Sequence, residues 1–351
     1  MIRKRNKDID ILKGIGIISV VIGHALNTEI FKSDFSEATR KFVYIYHLGI
    51  FFFCSGYFFK VSSVVSIVRK LLKQYRFFVS VCLSSFIFLP LWEKFKLIEQ
   101  ESTMTLFKRL LSILMFRQEG YYVGAMWFVP FLLNVILIYS VICLLLKNFS
   151  DIFLQLTVLL LGVIAVILVE EKGIGFRYIY ISLLMLPVLN AGRLYRCCEE
   201  KVKFHKYTCF VFACSILIIN FFTKGEIELS KGEIYFGFGF YPMMALGICF
   251  CLSLKELIKQ NSVIANFFTF LGLNSAVIMA YHFIAFKLFD VFIGLLLNDS
   301  YDSIRFFPIS YPNLRFLYII VGVFIPLIFK KSFSLAKGVF HNGKCFNINT
   351  K

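Results

Sequence analysis

Apolar residues run along this chain in blocks of roughly twenty, separated by short charged segments. Twenty residues of helix at about 1.5 Å each cross the roughly 30 Å hydrocarbon core of a bilayer. The blocks predict ten membrane helices, at about 14–30, 43–61, 77–92, 126–146, 151–170, 177–195, 207–223, 234–254, 267–297 and 313–330. The ninth is long enough to hold a kink or an interfacial extension, and Thr105 to Arg117 reads as a short amphipathic helix at the surface. The expected fold is all-α, a polytopic membrane protein.

Composition removes the alternatives. With 59% hydrophobic and 17% charged residues, the chain falls well short of the quarter of charged residues that a soluble fold carries. The first block follows Arg3, Lys4, Arg5 and Lys7 as a signal peptide would, but it continues to Glu29 without a small-residue cleavage site, so it is expected to stay as the first membrane helix. Seven cysteines, Cys54, Cys82, Cys143, Cys209, Cys214, Cys249 and Cys251, lie inside apolar blocks, where Cys packs as a small hydrophobe. No Cys/His spacing matches a zinc site, and no metal is expected. Cys197-Cys198 at a loop edge is a weak palmitoylation motif.

Charge then orients the spans. Assigning alternate loops to opposite sides, with the N-terminus inside, puts 23 of the 38 Lys and Arg on the inner side with only 6 of the 21 acids. The net charge of +17 therefore sits on one side, as the positive-inside rule requires of the cytoplasmic face. Both termini are expected in the cytoplasm. Attraction to anionic lipid accounts for such a distribution, and nucleic-acid binding is not expected.

Ionisable groups at membrane depth are costly, which makes each one a functional candidate. His24 lies within the first block, His47 opens the second and His282 sits in the ninth. Lys13 precedes His24 by eleven residues, about three turns, so both project from one helix face about 16 Å apart. Gly14, Gly16, Ser19 and Gly23 thin the same helix for close approach. Ser275 and His282, seven apart, share a face in the ninth block, where Asn274 or Ser275 is placed to cap a helix start. The second block pairs the His47 entry with a Ser55-Gly56-Tyr57 exit. Plainer readings stand beside these: interhelical hydrogen bonds for the histidines, an interfacial anchor for Lys13 and packing for the two serines.

The segment Asp10-Ile-Leu-Lys13-Gly-Ile-Gly-Ile-Ile-Ser-Val-Val-Ile-Gly-His24 resembles the opening helix of the integral-membrane acyltransferase 3 family, with its basic residue, ten intervening positions and a His. His47-x-Gly49-x-Phe-Phe-Phe53-x-Ser55-Gly56-Tyr57 resembles the family's second helix, Trp127-Phe128 its Trp-Phe pair, and Gly272-x-x-Ser275 with His282 its late motif. The likeness spans nearly the whole chain and is strongest to the fucose 4-O-acetylase-like branch. It implies one membrane domain over 1–351, with short basic tails at about 1–12 and 331–351. It departs from the family pattern at Lys13, where many members have Arg, and in Arg69, Lys70, Lys73 and Arg76, which replace a closely spaced arginine pair.

The resemblance implies an O-acyltransferase that moves acetyl, or another short acyl group, from acyl-coenzyme A to a hydroxyl of a cell-surface or lipid-linked glycan. Its setting would be the inner or plasma membrane of a bacterium. Acetyl-coenzyme A would be a co-substrate rather than a bound cofactor. His24 and Lys13 would be the catalytic residues, His24 acting as base or acyl carrier; Arg69, Lys70, Lys73 and Arg76 would meet the phosphates together with Lys13, and His47, Ser55, Trp127, Ser275 and His282 would meet the acceptor. The competing expectations are an exporter of a glycan or lipid-linked intermediate without acyl-transfer chemistry, and a scaffold in a glycan-assembly complex.

Overall fold

The computed structural model describes residues 6–27, 33–60, 64–117, 119–205, 207–223, 226–234 and 237–343, without the side chains of residue 177 and of residues 333 onward. Of the basic residues that set the expected orientation, Arg3, Lys4, Arg5, Lys206, Lys344 and Lys351 lie outside the described residues. The helices are α1 (Lys7–Leu26), α2 (Asp34–Tyr44), α3 (Gly49–Tyr57), α4 (Val64–Ser84), α5 (Leu89–Lys94), α6 (Thr103–Leu114) and α7 (Phe128–Leu145), then α8 (Asp151–Lys172), α9 (Ile179–Leu184), α10 (Leu186–Cys198), α11 (Thr208–Phe222), α12 (Phe240–Lys259), α13 (Ser262–Leu297) and α14 (Arg315–Gly343). A two-stranded antiparallel hairpin, β1 (Ile227–Glu228) and β2 (Glu233–Ile234), joins α11 to α12.

The protein is an all-α polytopic membrane protein. Among the described residues seven helical stretches are long and apolar enough to cross a bilayer: Lys7–Leu26, Val64–Lys94, Gly124–Leu145, Asp151–Lys172, Gly237–Lys259, Ser262–Leu297 and Pro312–Ser332. Large apolar side chains on α8 and α11, among them Leu156, Leu160, Phe221 and Phe222, point outward as lipid-facing surface. The first span is the most enclosed, 78% buried against 22% for the last, so α1 is the central helix.

Three of the ten expected helices are not continuous spans. The second block breaks at 45–48, where the backbone N–H of Tyr46 and of His47 both turn back to the Val43 carbonyl, and the His47 ring competes for the same oxygen. The sixth breaks at Met185, because Pro187 has no N–H and its ring clashes with a continuing helix. The seventh block is a helix of 15 residues, below spanning length. The third begins earlier than expected, at Val64, and bends through a tight turn at Ser85–Phe88, where Ser85 Oγ donates to the Cys82 carbonyl at 2.6 Å and accepts from the Tyr121 N–H at 3.0 Å. The amphipathic helix expected at 105–117 is α6, capped by Ser102 and tied by Arg109 to Glu101.

The ninth block forms one helix of 36 residues and starts well before Asn274. Its cap is Asn261, whose side chain accepts from the N–H groups of Val263 and Ile264 at 3.0 and 3.2 Å. Asn274 and Ser275 are therefore mid-helix residues. Asn274 is buried, donates to the Phe270 carbonyl and accepts from Lys330 Nζ, each at 2.7 Å.

Two reciprocal glycine contacts fix the helix packing. A methyl group on Gly14 of α1 would strike the Phe268 carbonyl of α13, and one on Gly272 of α13 would strike the Asp10 carbonyl of α1. Gly56 of α3 and Gly192 of α10 face the Leu189 and Phe53 carbonyls in the same way. Backbone lies against backbone at both crossings, the close approach that small residues permit in membranes. Gly272→Val is expected to destabilise the protein by at least about 1–3 kcal/mol, because backbone cannot move aside as a side chain can. Gly124→Ala, whose added carbon meets nothing nearer than Phe283 at 3.9 Å, should leave the unfolding midpoint in detergent unchanged. Equal midpoints for the two variants would refute the assignment.

Candidate active site

The C-terminal turns of α1, the break after α2, the start of α7 and the hairpin enclose a narrow cleft of about 40 Å³. His24 and His47 line it with Tyr44, Trp127, Phe51 and Met279, and the hairpin contributes Glu228, Leu229 and Ser230. His24 is half-buried and open to the cleft, whereas His47 and His282 are buried. The His282 ring lies behind that of His24, nearly parallel to it, with centroids 5.3 Å apart. Phe283 packs beside His282 against the same ring, 4.7 Å from His24 and 4.3 Å from His282, and Tyr44 meets the His24 edge at 6.5 Å. Three histidines from α1, α13 and the α2–α3 break thus converge around one cavity.

Their hydrogen bonds fix which nitrogen is basic. A carbonyl only accepts, so His282 Nδ1, 3.1 Å from the Ile278 oxygen and 2.9 Å from that of Met279, must carry a proton. In the neutral ring Nε2 then holds the lone pair, and it is buried without a hydrogen-bond partner among the described residues. His47 is set the same way by Nδ1 donating to the Val43 carbonyl at 3.2 Å. The break that interrupts the second apolar block is therefore also what orients His47.

Trp127 ends a tight turn, Gly124–Trp127, that leads into α7. Its indole stacks on Phe131 at 5.5 Å and touches Tyr178, leaving an aromatic wall on the cleft. Opposite, the hairpin is held by an ion pair between Arg40 of α2 and Glu226, and the Arg40 guanidinium lies over the Tyr44 ring. Glu228, 8% exposed, pairs with Lys231 at 3.0 Å and accepts from Ser230 Oγ at 3.2 Å. Carboxylate oxygens of Glu226, Glu228 and Glu233 lie within 4.8 Å of one another. Arg40 and Lys231 already answer two of those charges, so the group reads as an ion-paired clasp over the cleft rather than a cation site.

The other expected site residues stand elsewhere. Lys13 is three turns below His24 on α1, 3.8 Å from Asp10 and under the Phe58 ring at 5.0 Å, outside the cleft wall. Ser55 donates to the Phe51 carbonyl at 2.7 Å, a bond within its own helix, and neither it nor half-buried Ser275 lines the cleft. Arg69, Lys70, Lys73 and Arg76, expected in a loop, occupy α4, all exposed. Arg69, Lys73 and Arg76 share one face by helical spacing, and Lys70 sits about 100° away. The contact of Lys13 with Phe58 places its ammonium at the end of α3, the helix that precedes α4 in the chain.

Two buried ions near this site were not singled out in the sequence. Lys287 and Asp290, both 0% exposed, sit one and two turns beyond His282 on α13. Lys287 Nζ donates to Asp290 Oδ2 at 2.6 Å and to the Ile304 and Phe306 carbonyls. Asp290 accepts in turn from the Ser310 N–H at 2.9 Å and from the Tyr318 hydroxyl. This network clamps the 299–311 segment onto α13 and brings Phe307 to 4.9 Å from Phe283, the ring that backs His24. An ionisable pair three apart inside an apolar block was the available signal; Glu228, in an ordinary charged loop, gave none.

A family model described as an acyltransferase domain matches residues 6–331. No curated protein and no solved structure matches the chain.

Proposed function

Since the chain belongs to that family and is a multi-pass membrane acyltransferase, we propose that it is an O-acetyltransferase of a bacterial plasma membrane, moving acetyl from acetyl-coenzyme A to a hydroxyl of a cell-surface or lipid-linked glycan. The observation that carries this reading is the half-buried His24 ring, open to a cleft that His47 also lines and stacked on His282.

In this reading the amino terminus is cytoplasmic and coenzyme A arrives at the face where α1 and α4 begin. Lys13, Arg69, Lys70, Lys73 and Arg76 supply cations there for its phosphates, and charge-assisted hydrogen bonds to phosphate are strong. The acyl group must then travel the length of α1 between Lys13 and His24, about 16 Å. The acceptor hydroxyl enters from the hairpin side and gives its proton to His24 as the oxygen attacks the thioester carbon. The carbon–sulfur bond breaks and the thiolate leaves as coenzyme A. In the variant route His24 first takes the acetyl group itself and passes it on.

The remaining cleft groups suit a sugar. The Trp127 wall matches the apolar face of a pyranose ring, and Ser230 and Glu228 offer polar atoms for its hydroxyls. His47 and His282 hold the shape and polarity around the His24 ring. Ser55 and Ser275, away from the cleft, serve the packing of α3 and α13.

The test is mass spectrometry of surface glycans, before and after mild base, from cells with the gene deleted and restored. Loss of a base-labile acetyl group on deletion and its return on complementation is the expected result. Unchanged acetylation, with a glycan intermediate accumulating inside the cell, would replace this reading with the exporter.

A further inference from the structure

A second cavity system shares no lining residue with the histidine cleft. Between α8, α10 and α12 lies a groove of about 480 Å³ with an almost wholly apolar wall. Along α10 it runs from Pro187 to Cys198, and along α12 from Tyr241 to Leu252. Eleven residues of helix cover about 16 Å, half of a 30 Å hydrocarbon core and so the depth of one leaflet. Two exposed alanines, Ala191 and Ala245, keep it open.

The groove continues into a polar pocket of about 480 Å³, and Tyr195, Val202 and Phe204 belong to both walls. The pocket presents Lys203, Lys255 and Lys259 together with Glu199, Glu200 and Glu256. Several of these charges already answer one another: Lys255 lies 2.8 Å from Glu256 and 3.4 Å from Asp8, and Lys259 2.9 Å from Asp8. Glu199 accepts from the Tyr57 hydroxyl at 3.0 Å. Lys203 and Glu200 stand exposed at the rim.

A slot that is hydrocarbon for one leaflet and carries both signs of charge at its end is complementary to an amphiphile with a zwitterionic head. We propose that groove and pocket together bind a phospholipid with a primary-amine headgroup. One tail lies along α10 and α12, the phosphate faces Lys203, and the ammonium faces Glu200 and its neighbouring carboxylates. A primary ammonium has three N–H donors for those carboxylates, whereas a quaternary ammonium has none. A purely anionic head would meet the acids without compensation.

The experiment uses the full chain, stripped of lipid in detergent and titrated with dioleoyl phosphatidylethanolamine, phosphatidylcholine or phosphatidylglycerol, with bound lipid counted by native mass spectrometry. Phosphatidylethanolamine is expected to bind about tenfold more tightly than either other lipid. Ala191→Trp, which fills the groove from an exposed position, and Glu200→Gln, which removes an anion at the rim, should each weaken that binding by about tenfold. The lipid-free unfolding midpoint should stay put in both. Equal or better binding of phosphatidylglycerol, or unchanged binding by Ala191→Trp, overturns the proposal. So does displacement by a polyprenyl phosphate, which would give the groove to a lipid-linked acceptor, and so does an acyl chain found covalently on Cys198.

Discussion

Replacing His24 with alanine is expected to lower glycan O-acetylation by about 10²–10⁴-fold, the range over which a positioned acid or base contributes, while the protein reaches the membrane at the wild-type level. The expectation rests on access: of the three rings gathered around the cleft, His24 combines partial exposure with a place on the wall, and His282 is sealed behind it. His282→Phe keeps a flat, slightly larger ring against His24 and removes the nitrogens, so it should leave more residual activity than His24→Ala. The measurement is the base-labile acetyl content of surface glycan per unit of membrane protein. Wild-type acetylation by His24→Ala would remove His24 from the chemistry, whatever the family's reaction.

Lys287→Met is expected to cost about 3–5 kcal/mol of stability, because it leaves the buried Asp290 carboxylate without its cation. Coupling Lys287→Met with Asp290→Asn should recover much of that loss. The asparagine carbonyl can still accept from the Ser310 N–H and the Tyr318 hydroxyl, and no lone charge remains. Unfolding midpoints in detergent for the single and double variants decide the matter. A double variant no more stable than the single would mean that the bonds from Lys287 to the Ile304 and Phe306 carbonyls, and not the ion pair, carry the stabilisation.

The histidines were legible in the sequence as polar residues in apolar blocks, but their convergence was not. Spacing relates residues on one helix, as it did for Lys13 and His24, whereas His24, His47 and His282 come from three elements whose packing is decided by contacts far apart in the chain. The long spans read correctly because length and apolarity suffice to define them. The break at 45–48 was hidden for a physical reason: no proline marks it, and its hydrogen bonds depend on a His47 ring held among Tyr44 and other packed neighbours. Pro187 did mark the break after α9, within a block whose hydropathy alone reads as continuous. The helix start expected at Asn274 lost to Asn261 because residues 262–273 continue the helix without interruption and Asn261 caps two N–H groups. Lys287 and Asp290 sit within the ninth block, yet a count of loop charges assigns both to the outer surface; solvent never reaches them.

The reciprocal contact of Gly14 with α13 and of Gly272 with α1 does more than bring two helices close. Gly272 lies beside Gly14 and His282 beside His24, so the contacts advance together and the helices run parallel. Each imidazole stands ten residues, about 15 Å, beyond its glycine. The pair is built like tweezers with the pivot at one end and the tips at the other. A splay of about 5° at the pivot would part the tips by roughly 1 Å at that lever length, enough to separate stacked rings. A bulky residue at either glycine, if the protein still folds, would thus be felt as misalignment of the stacked His24 and His282 rings, in a part of the molecule it never touches.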